Sequence, residues 1–286
     1  MRQTRVIIMA FIVLLLSYNN TAIAKHSEYN PLDYGLTSAR NGEERFWALY
    51  HTHELAKKNN SIVSYKGIDS LEIDIPLNAP SIPLSSYTDF CGLVLTIVCN
   101  HNNYVLFELT QNVKEIPINK ASVDSGIYKE YPALAKGLYL LQLSDENLWV
   151  KQRVGFDYGH KRMDVVLVKN GKSKNKTVFP YNNKGTNLIA KYCKVTSERK
   201  QFKNITFRRK PGNTKVASLI LVNNQYNVNL DNISILTPRD TLYGDQAIIV
   251  VNSCVVNFNN IRIDGTYSRL DAYGYGITMN NVYSVT

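Results

Sequence analysis

The sequence predicts an all-β protein: a single-stranded parallel β-helix with an N-terminal cap helix and an inserted hairpin region. Three observations carry that expectation. Strand-like alternation changes phase at asparagines, those asparagines recur with a fixed period, and each period holds three short strand-like runs.

The phase change is clearest in "NFNNIRIDG" (257 to 265). Val256 and Phe258 are apolar at even positions, whereas Ile261 and Ile263 are apolar at odd ones. A strand whose side chains alternate with period two cannot do this without a bend. The same change falls between Leu230 and Ile233, and between Phe202 and Ile205. Asn204, Asn232 and Asn260 mark the three bends and are spaced by 28 residues each time. Asn223, Asn252 and Asn280 form a second series, spaced 29 and 28. Three strands per period describe one coil of a β-solenoid in which each strand pairs with its equivalent in the next coil. A corner residue in the left-handed region is the natural use of asparagine, which tolerates it better than most side chains do. Stacked coils then set amide over amide as a hydrogen-bonded ladder. Asn204-Ile205-Thr206 and Asn232-Ile233-Ser234 also match the glycosylation acceptor pattern, but the corner role accounts for them better.

In chain order, residues 1–24 read as a secretory signal peptide. Arg2 and Arg5 precede an apolar run from Val6 to Leu16, then a polar stretch ending Ala22-Ile23-Ala24. The run is 11 residues, about half of the roughly 20 that a membrane-spanning helix needs. No membrane span is expected, and the mature chain begins near Lys25, exported to the periplasm, cell surface or medium. Residues 25–99 hold the cap helix and first strands. Asn41 and Glu44 are spaced as a capping pair, and Phe46, Leu49, Tyr50, His53 and Ala56 follow helical spacing. "SLEIDIPL" (70 to 77) and "CGLVLTIVC" (91 to 99) read as early strands. Residues 100–200 read as a lysine-rich insertion packed against the helix, with strands in "YVLFEL" and "GLYLLQL" and a hairpin turning at Asn170-Gly171. Residues 201–286 are the regular coils. "NNVYSVT" aligns with "NNQYNVN" (223 to 229), which puts Thr286 inside a second strand with no closing cap. The expectation is therefore a C-terminally truncated solenoid, the N-terminal part of a longer protein.

Charge points to the partner. Removing Arg2 and Arg5 lowers the net charge from +10 to +8, and between Asp145 and Lys215 there are 18 Lys or Arg against 5 Asp or Glu. Such a surplus draws polyanions, more strongly at low salt. For an exported chain the polyanion is an acidic polysaccharide or an anionic cell surface and not nucleic acid; a solvated basic face explains the surplus equally well. Cys91, Cys99, Cys193 and Cys254 have no zinc-type spacing; they read mainly as buried apolar residues, with room for one disulfide.

"DYG", then "NGEERFWALYHTHELA", then strands ending in a solenoid, resembles the start of the pectate-lyase-like right-handed parallel β-helix superfamily, over roughly 29–98 and 201–286. The resemblance implies a polysaccharide lyase or glycoside hydrolase acting on an acidic glycan by β-elimination or hydrolysis, with catalytic residues mostly beyond Thr286. The competing class is a non-catalytic adhesin or glycan-binding β-helix, or an inactive remnant. The resemblance also allows Ca²⁺, although no cofactor is evident from the residues. The polygalacturonase-like strings Asn-Thr-Asp, Gly-His-Gly and Arg-Ile-Lys are absent; "IRID" is the nearest. Members of the superfamily bind polysaccharide on the outer face of the first strand stack. Here Ile220, Val222, Ile249, Val251, Ile277 and Met279 read as inward, and Leu219, Leu221, Ile248, Val250, Gly276 and Thr278 as outward. So apolar an outer face is expected to be covered by the N-terminal segment.

Candidate site residues are few. Arg239, Asp245, Arg269, Asp271 and Tyr273, with Asp240 and Asp264, lie in loops after third strands and can bind sugar or calcium; exposed loop polarity explains them as well. Tyr267 and Tyr275 can stack on sugar rings or on one another. His51 and His53 are two apart on the helix and point apart, so they are no metal pair. His160 in "DYGHKR" is a candidate base or a solvated loop residue.

Overall fold

The computed structural model describes residues 27–99, 104–119, 123, 129–151, 159–179, 181, 186–210, 217–236, 246–264 and 276–285. The signal-like segment 1–24 lies outside them. The strands in chain order are β1 (Glu28–Tyr29), β2 (Ile62–Ser64), β3 (Ser70–Asp74), β4 (Ile82–Pro83), β5 (Tyr87–Val98), β6 (Tyr104–Thr110), β7 (Lys114–Glu115), β8 (Leu138–Lys151), β9 (Gly159–Lys169), β10 (Lys172–Ser173), β11 (Leu188–Lys194), β12 (Lys200–Arg209), β13 (Ala217–Asn223), β14 (Tyr226–Leu236), β15 (Ile248–Asp264) and β16 (Ile277–Val285). The helix α1 spans Gly42–Lys58.

All pairings within the larger sheet are parallel, which makes the chain a β-solenoid with one long helix near its start. Three faces result. The first stacks β4, β6, β13 and the starts of β15 and β16. The second stacks β2 and the first halves of β5, β12, β14 and β15. The third stacks β3 and the second halves of those same four strands. Apolar columns fill the interior, such as Leu93, Ile205, Ile233 and Ile261, or Ile82, Phe107, Ile220 and Ile248.

β12, β14 and β15 each turn from the second to the third face at one left-handed residue. Asn204, Asn232 and Asn260 have φ of 65°, 52° and 51°. Their amides form the expected ladder: Asn260 Nδ2 donates to Asn232 Oδ1 at 2.9 Å, and Asn232 Nδ2 to Asn204 Oδ1 at 3.0 Å. The coil below has no asparagine at this place. In β5 the corner is Cys91-Gly92, both left-handed, and Asn204 Nδ2 donates instead to Asp89 Oδ1 at 2.9 Å.

The second series needs a correction of one residue. The corner residues are Asn224, Asn252 and Asn281, at φ 60°, 47° and 54°. Asn281 Nδ2 donates to Asn252 Oδ1 at 2.7 Å. Asn223 and Asn280 share a register row with Val251, not with Asn252. Because side chains alternate, the slip inverts the faces of β15: Ile248 and Val250 point inward, whereas Ile249 and Val251 point outward.

The helix seals the open first coil as expected. Glu44 N donates to Asn41 Oδ1 at 2.8 Å, and Glu44 Oε2 accepts from Arg40 N at 2.6 Å. A side chain at Gly42 would meet Asp74 at 2.4 Å, so the helix start lies directly on β3, its N-terminal dipole against a carboxylate. Phe46, Leu49 and Ala56 enter the solenoid core. His51 is exposed and His53 is buried. His53 Nε2 lies 2.8 Å from the Tyr65 hydroxyl, among Tyr65, Phe90 and Phe107.

The lysine-rich insertion is an antiparallel sheet ordered β10-β9-β8-β11-β7. Its β9–β10 hairpin turns at Asn170 and Gly171, with φ of 51° and 78°, as the sequence predicts. Its runs "YLLQL" and "VVLV" place apolar residues on both faces, broken only by Gln142, because both faces are covered. One face lies under Tyr131, Leu134 and Tyr181. The other, with Leu140, Val165, Leu167 and Cys193, packs on Tyr226, Cys254 and Val255 of the solenoid. The sheet is therefore seated on the corner between the first and second faces, and not on α1. Gln142 on β8 donates to Asn224 at that corner. The segment Tyr104–Thr110, grouped with the insertion on sequence grounds, is a coil strand instead. All four cysteines are free, and Cys91 is exposed at its corner while the others are buried.

Two outcomes follow from this packing. Asn232→Ala removes two ladder bonds and places alanine, which tolerates the left-handed region less well than asparagine, at φ 52°; it is expected to cost about 2–3 kcal/mol in urea unfolding, against about 1 kcal/mol for Asn232→Gly, which adopts that region freely. Burial lowers the His53 pKa from 6.5 to about 3. The unfolded chain then binds the extra proton first, so stability is full above pH 6.5 and falls as pH drops toward 3, by about 1.4 kcal/mol per unit. Thermal melts at pH 7 and pH 4.5 should show this loss in the wild type, and a smaller one in His53→Gln.

Candidate functional site

Arg239, Asp245, Arg269, Asp271 and Tyr273 lie outside the described residues, as do Asp240, Tyr267 and Tyr275. Asp264 is exposed and pairs with Arg262 at 3.1 Å within "IRID". His160 falls within β9. The described residues present three surfaces on which a site could stand.

The first is the outer side of the first face. Its register rows are Pro83, Glu108, Leu221, Ile249 and Thr278, then Thr110, Asn223, Val251 and Asn280. The expected outward residues Ile248, Val250 and Leu219 are buried. What remains is a mixed row, mostly half-buried, with Leu221, Ile249 and Val251 at its centre, ill suited to a charged sugar.

The second is the outer side of the second face, which the sequence analysis did not single out. Two rows run across the strands: Tyr87, Gln201, Asn229 and Asn257, and beside them Asp89, Lys203, Asp231 and Asn259. Their amides and carboxylates bond along the stack, Asn257 to Asn229 and Asn259 to Asp231, both at 2.8 Å. Lys203 Nζ lies 3.1 Å from Asp89 Oδ2 and 5.5 Å from the centre of the Tyr87 ring. Partial burial would raise the Asp89 carboxyl, but the Asn204 amide, the Cys91 N–H and Lys203 together hold it below the usual aspartate value. The Tyr87 hydroxyl and Asp89 in turn push Lys203 up to about 12. This strip is a fixed array of acceptors and donors.

The third is a cleft of ≈ 370 Å³ where β9 and the chain after β10 meet β16, lined by Asp164, Lys176, Val178, Met279, Asn281 and Tyr283 among others. Val178, Met279 and Tyr283 are 73%, 51% and 47% exposed. Asp164 is buried at its edge. Its carboxylate accepts from Val178 N at 2.9 Å, Phe179 N at 3.0 Å and Tyr181 Oη at 3.2 Å. Burial still outweighs these donors and raises its pKa. The hairpin leading into the cleft carries Lys169, Lys172, Lys174 and Lys176, all four exposed and within eight residues. Lys172 meets Glu130 at 3.8 Å, but both side chains are more than 70% exposed, and such pairs contribute little. The hairpin keeps a positive edge.

Among the described residues there is no group of three or more His, Cys, Asp or Glu that could hold a metal ion. No helix among them is long and apolar enough to cross a membrane.

The fold and its surfaces define the chain as a parallel β-solenoid. No protein family and no curated protein matches it. Solved structures similar to it include two phage tailspikes. One is the Gp54 tailspike of Acinetobacter baumannii bacteriophage AP22 in complex with A. baumannii capsular saccharide: TM-score 0.44, 10% identity, covering 93% of this chain and 49% of that one. The other is the tailspike protein gp49 from Pseudomonas phage LKA1: TM-score 0.43, 13% identity, covering 89% of this chain and 50% of that one. The chain thus spans about half the length of each.

The three donors around Asp164 hold the segment that forms one wall of the cleft. Asp164→Ala leaves all three without their acceptor, and is expected to destabilise the protein by about 2–4 kcal/mol, read as a lowered urea midpoint.

Proposed function

We propose that this protein is an exported β-solenoid that binds an acidic polysaccharide through the basic edge of its inserted sheet. The observation that carries the reading is the β9–β10 hairpin. It gathers Lys169, Lys172, Lys174 and Lys176 at the edge of a sheet whose two faces are both buried. Lysines on an edge strand also discourage strand pairing with other molecules, but that purpose does not require a cleft at the end of the same hairpin. A polymer with regularly spaced carboxylates or sulfates can follow such an edge, held by long-range attraction that salt weakens.

Binding is the reading that the basic edge favours; the two described carboxylates at these surfaces, Asp89 and Asp164, are each engaged by donors of the chain itself. A lyase or hydrolase derived from the same scaffold is the second reading, favoured by the resemblance of the N-terminal residues. It is recognised by its products, unsaturated sugars that absorb in the ultraviolet or new reducing ends.

The test is affinity for heparin and for polygalacturonate at about 0.05 M and about 0.3 M salt, where screening differs more than twofold in length. The wild type should bind both at low salt and release them at high salt without forming product. The combined variant Lys169→Glu, Lys172→Glu, Lys174→Glu should lose about tenfold or more at low salt and show a shallower salt dependence. Equal binding by this variant would sink the assignment to the hairpin.

A further inference from the structure

We infer that the end of the inserted sheet's outer face seats one acidic sugar unit, with the ring pair Tyr139–Tyr192 against the C–H face of the pyranose and Lys114 and Lys194 at its carboxylate. The inference rests on the proposed function and adds to the lysine edge a place where a single unit of the glycan is recognised by shape as well as by charge.

The register builds this patch. On the side of the sheet away from the solenoid, Tyr139 of β8 stands opposite Lys194 of β11, and two residues back along β11 Tyr192 stands opposite Lys114 of β7. Side chains directly opposite are about 5 Å apart at Cβ, and those two apart on one strand about 7 Å. The four residues therefore form a small rectangle with an aromatic ring at one pair of diagonal corners and an ammonium at the other. The cover of Tyr131, Leu134 and Tyr181 does not close over it: both tyrosines are half-buried against that cluster, whereas Lys114 and Lys194 are exposed.

The rings are held in place. Tyr139 Oη donates to Lys136 O at 2.8 Å, and its ring lies so close to Gly137 that a side chain there would meet it at 3.3 Å. Tyr192 meets it with centroids 5.9 Å apart and planes at 63°, which makes a corner of two aromatic surfaces. The lysine beside them is anchored through its backbone, since Lys194 O accepts from the Gln111 side chain and Gln111 O from Asn224 Nδ2 at the solenoid corner. Among the described residues neither the Tyr192 hydroxyl nor the ammonium groups of Lys114 and Lys194 have a hydrogen-bond or ion-pair partner. Glu115, the carboxylate nearest in sequence, pairs in register with Lys191 and so stands on the other side of the sheet. A planar aromatic corner, a free hydroxyl and two unpaired cations match a uronate ring, which offers an apolar C–H face, hydroxyls and one carboxylate. Core packing explains two half-buried tyrosines, but not why the positions opposite them both carry lysine.

The patch also lies where a bound polymer can reach it. Asn170 N donates to Gly137 O at 2.8 Å and Gly137 N to Asn170 Oδ1 at 3.1 Å, so the tip of the basic hairpin is tied to the turn that carries Tyr139. With strands about 4.8 Å apart, β10 and β8 are separated by about 10 Å.

The experiment is titration calorimetry of the full chain with tetragalacturonate and with its methyl ester, on the wild type, Tyr192→Leu and the double variant Lys114→Gln, Lys194→Gln. The wild type should bind the acid more tightly than the ester. Tyr192→Leu keeps apolar contact with the sheet and should weaken both ligands about fivefold. The lysine variant should weaken the acid about tenfold and leave the ester within about twofold, and retention of heparin by Tyr192→Leu should stay within about twofold of wild type. Should Tyr192→Leu lower the melting temperature, the lysine variant decides, because both its positions are exposed and only a carboxylate seat separates acid from ester. Unchanged affinity in both variants, or a wild type that holds the polymers but not the tetrasaccharide, overturns the seat and leaves binding at the lysine edge standing. A wild type that binds neither removes both readings together.

Discussion

Everything in this solenoid depends on one backbone conformation repeated in register. A flat strand buries one face only; to enclose a core, the chain must turn without losing the alternation that keeps apolar residues inside. A single residue at positive φ does this, and asparagine is the side chain that combines tolerance of that region with hydrogen bonds up and down the stack. Asn204, Asn232 and Asn260 set the turn between the second and third faces. Where the first coil lacks the asparagine, Asp89 takes the amide and Cys91-Gly92 takes the bend. The fixed 28-residue period is the sequence record of that stacking.

The inserted sheet shows a second constraint. It hangs on the solenoid at a corner made of Tyr226, Cys254 and Val255, and Val255 holds φ of 57° there. A β-branched residue at positive φ is a strained choice, and the equivalent place one coil earlier is Asn227, at φ 60°. Valine contributes packing against the apolar underside of the insertion that asparagine would not. The corner thus gives up local comfort for the contact that keeps the cleft's two walls together.

Much of the fold was legible in the sequence because the solenoid writes its geometry into alternation. The helix caps, the hairpin turn at Asn170-Gly171 and the first asparagine series all follow from local rules. The second series is misread by one residue because "VNNQ" and "MNNV" each offer two adjacent asparagines, and nothing local says which one bends. The partner of the insertion was hidden for a different reason: continuous apolar runs declare that both faces are covered, but not by what. The five loop residues proposed as a site lie outside the described segments. The cleft could not be read at all, since its walls, from β9 and β16, come together only through tertiary packing.

The ladder also has a direction. Each amide donates toward the N-terminus, from Asn260 to Asn232 to Asn204 and finally to the carboxylate of Asp89. A new coil therefore finds its acceptor already in place on the coil before it, and the first coil finds its floor in α1. Because a ribosome delivers the N-terminus first, such a chain can assemble as a templated series, each layer added to a finished one, with little need to search among distant pairings.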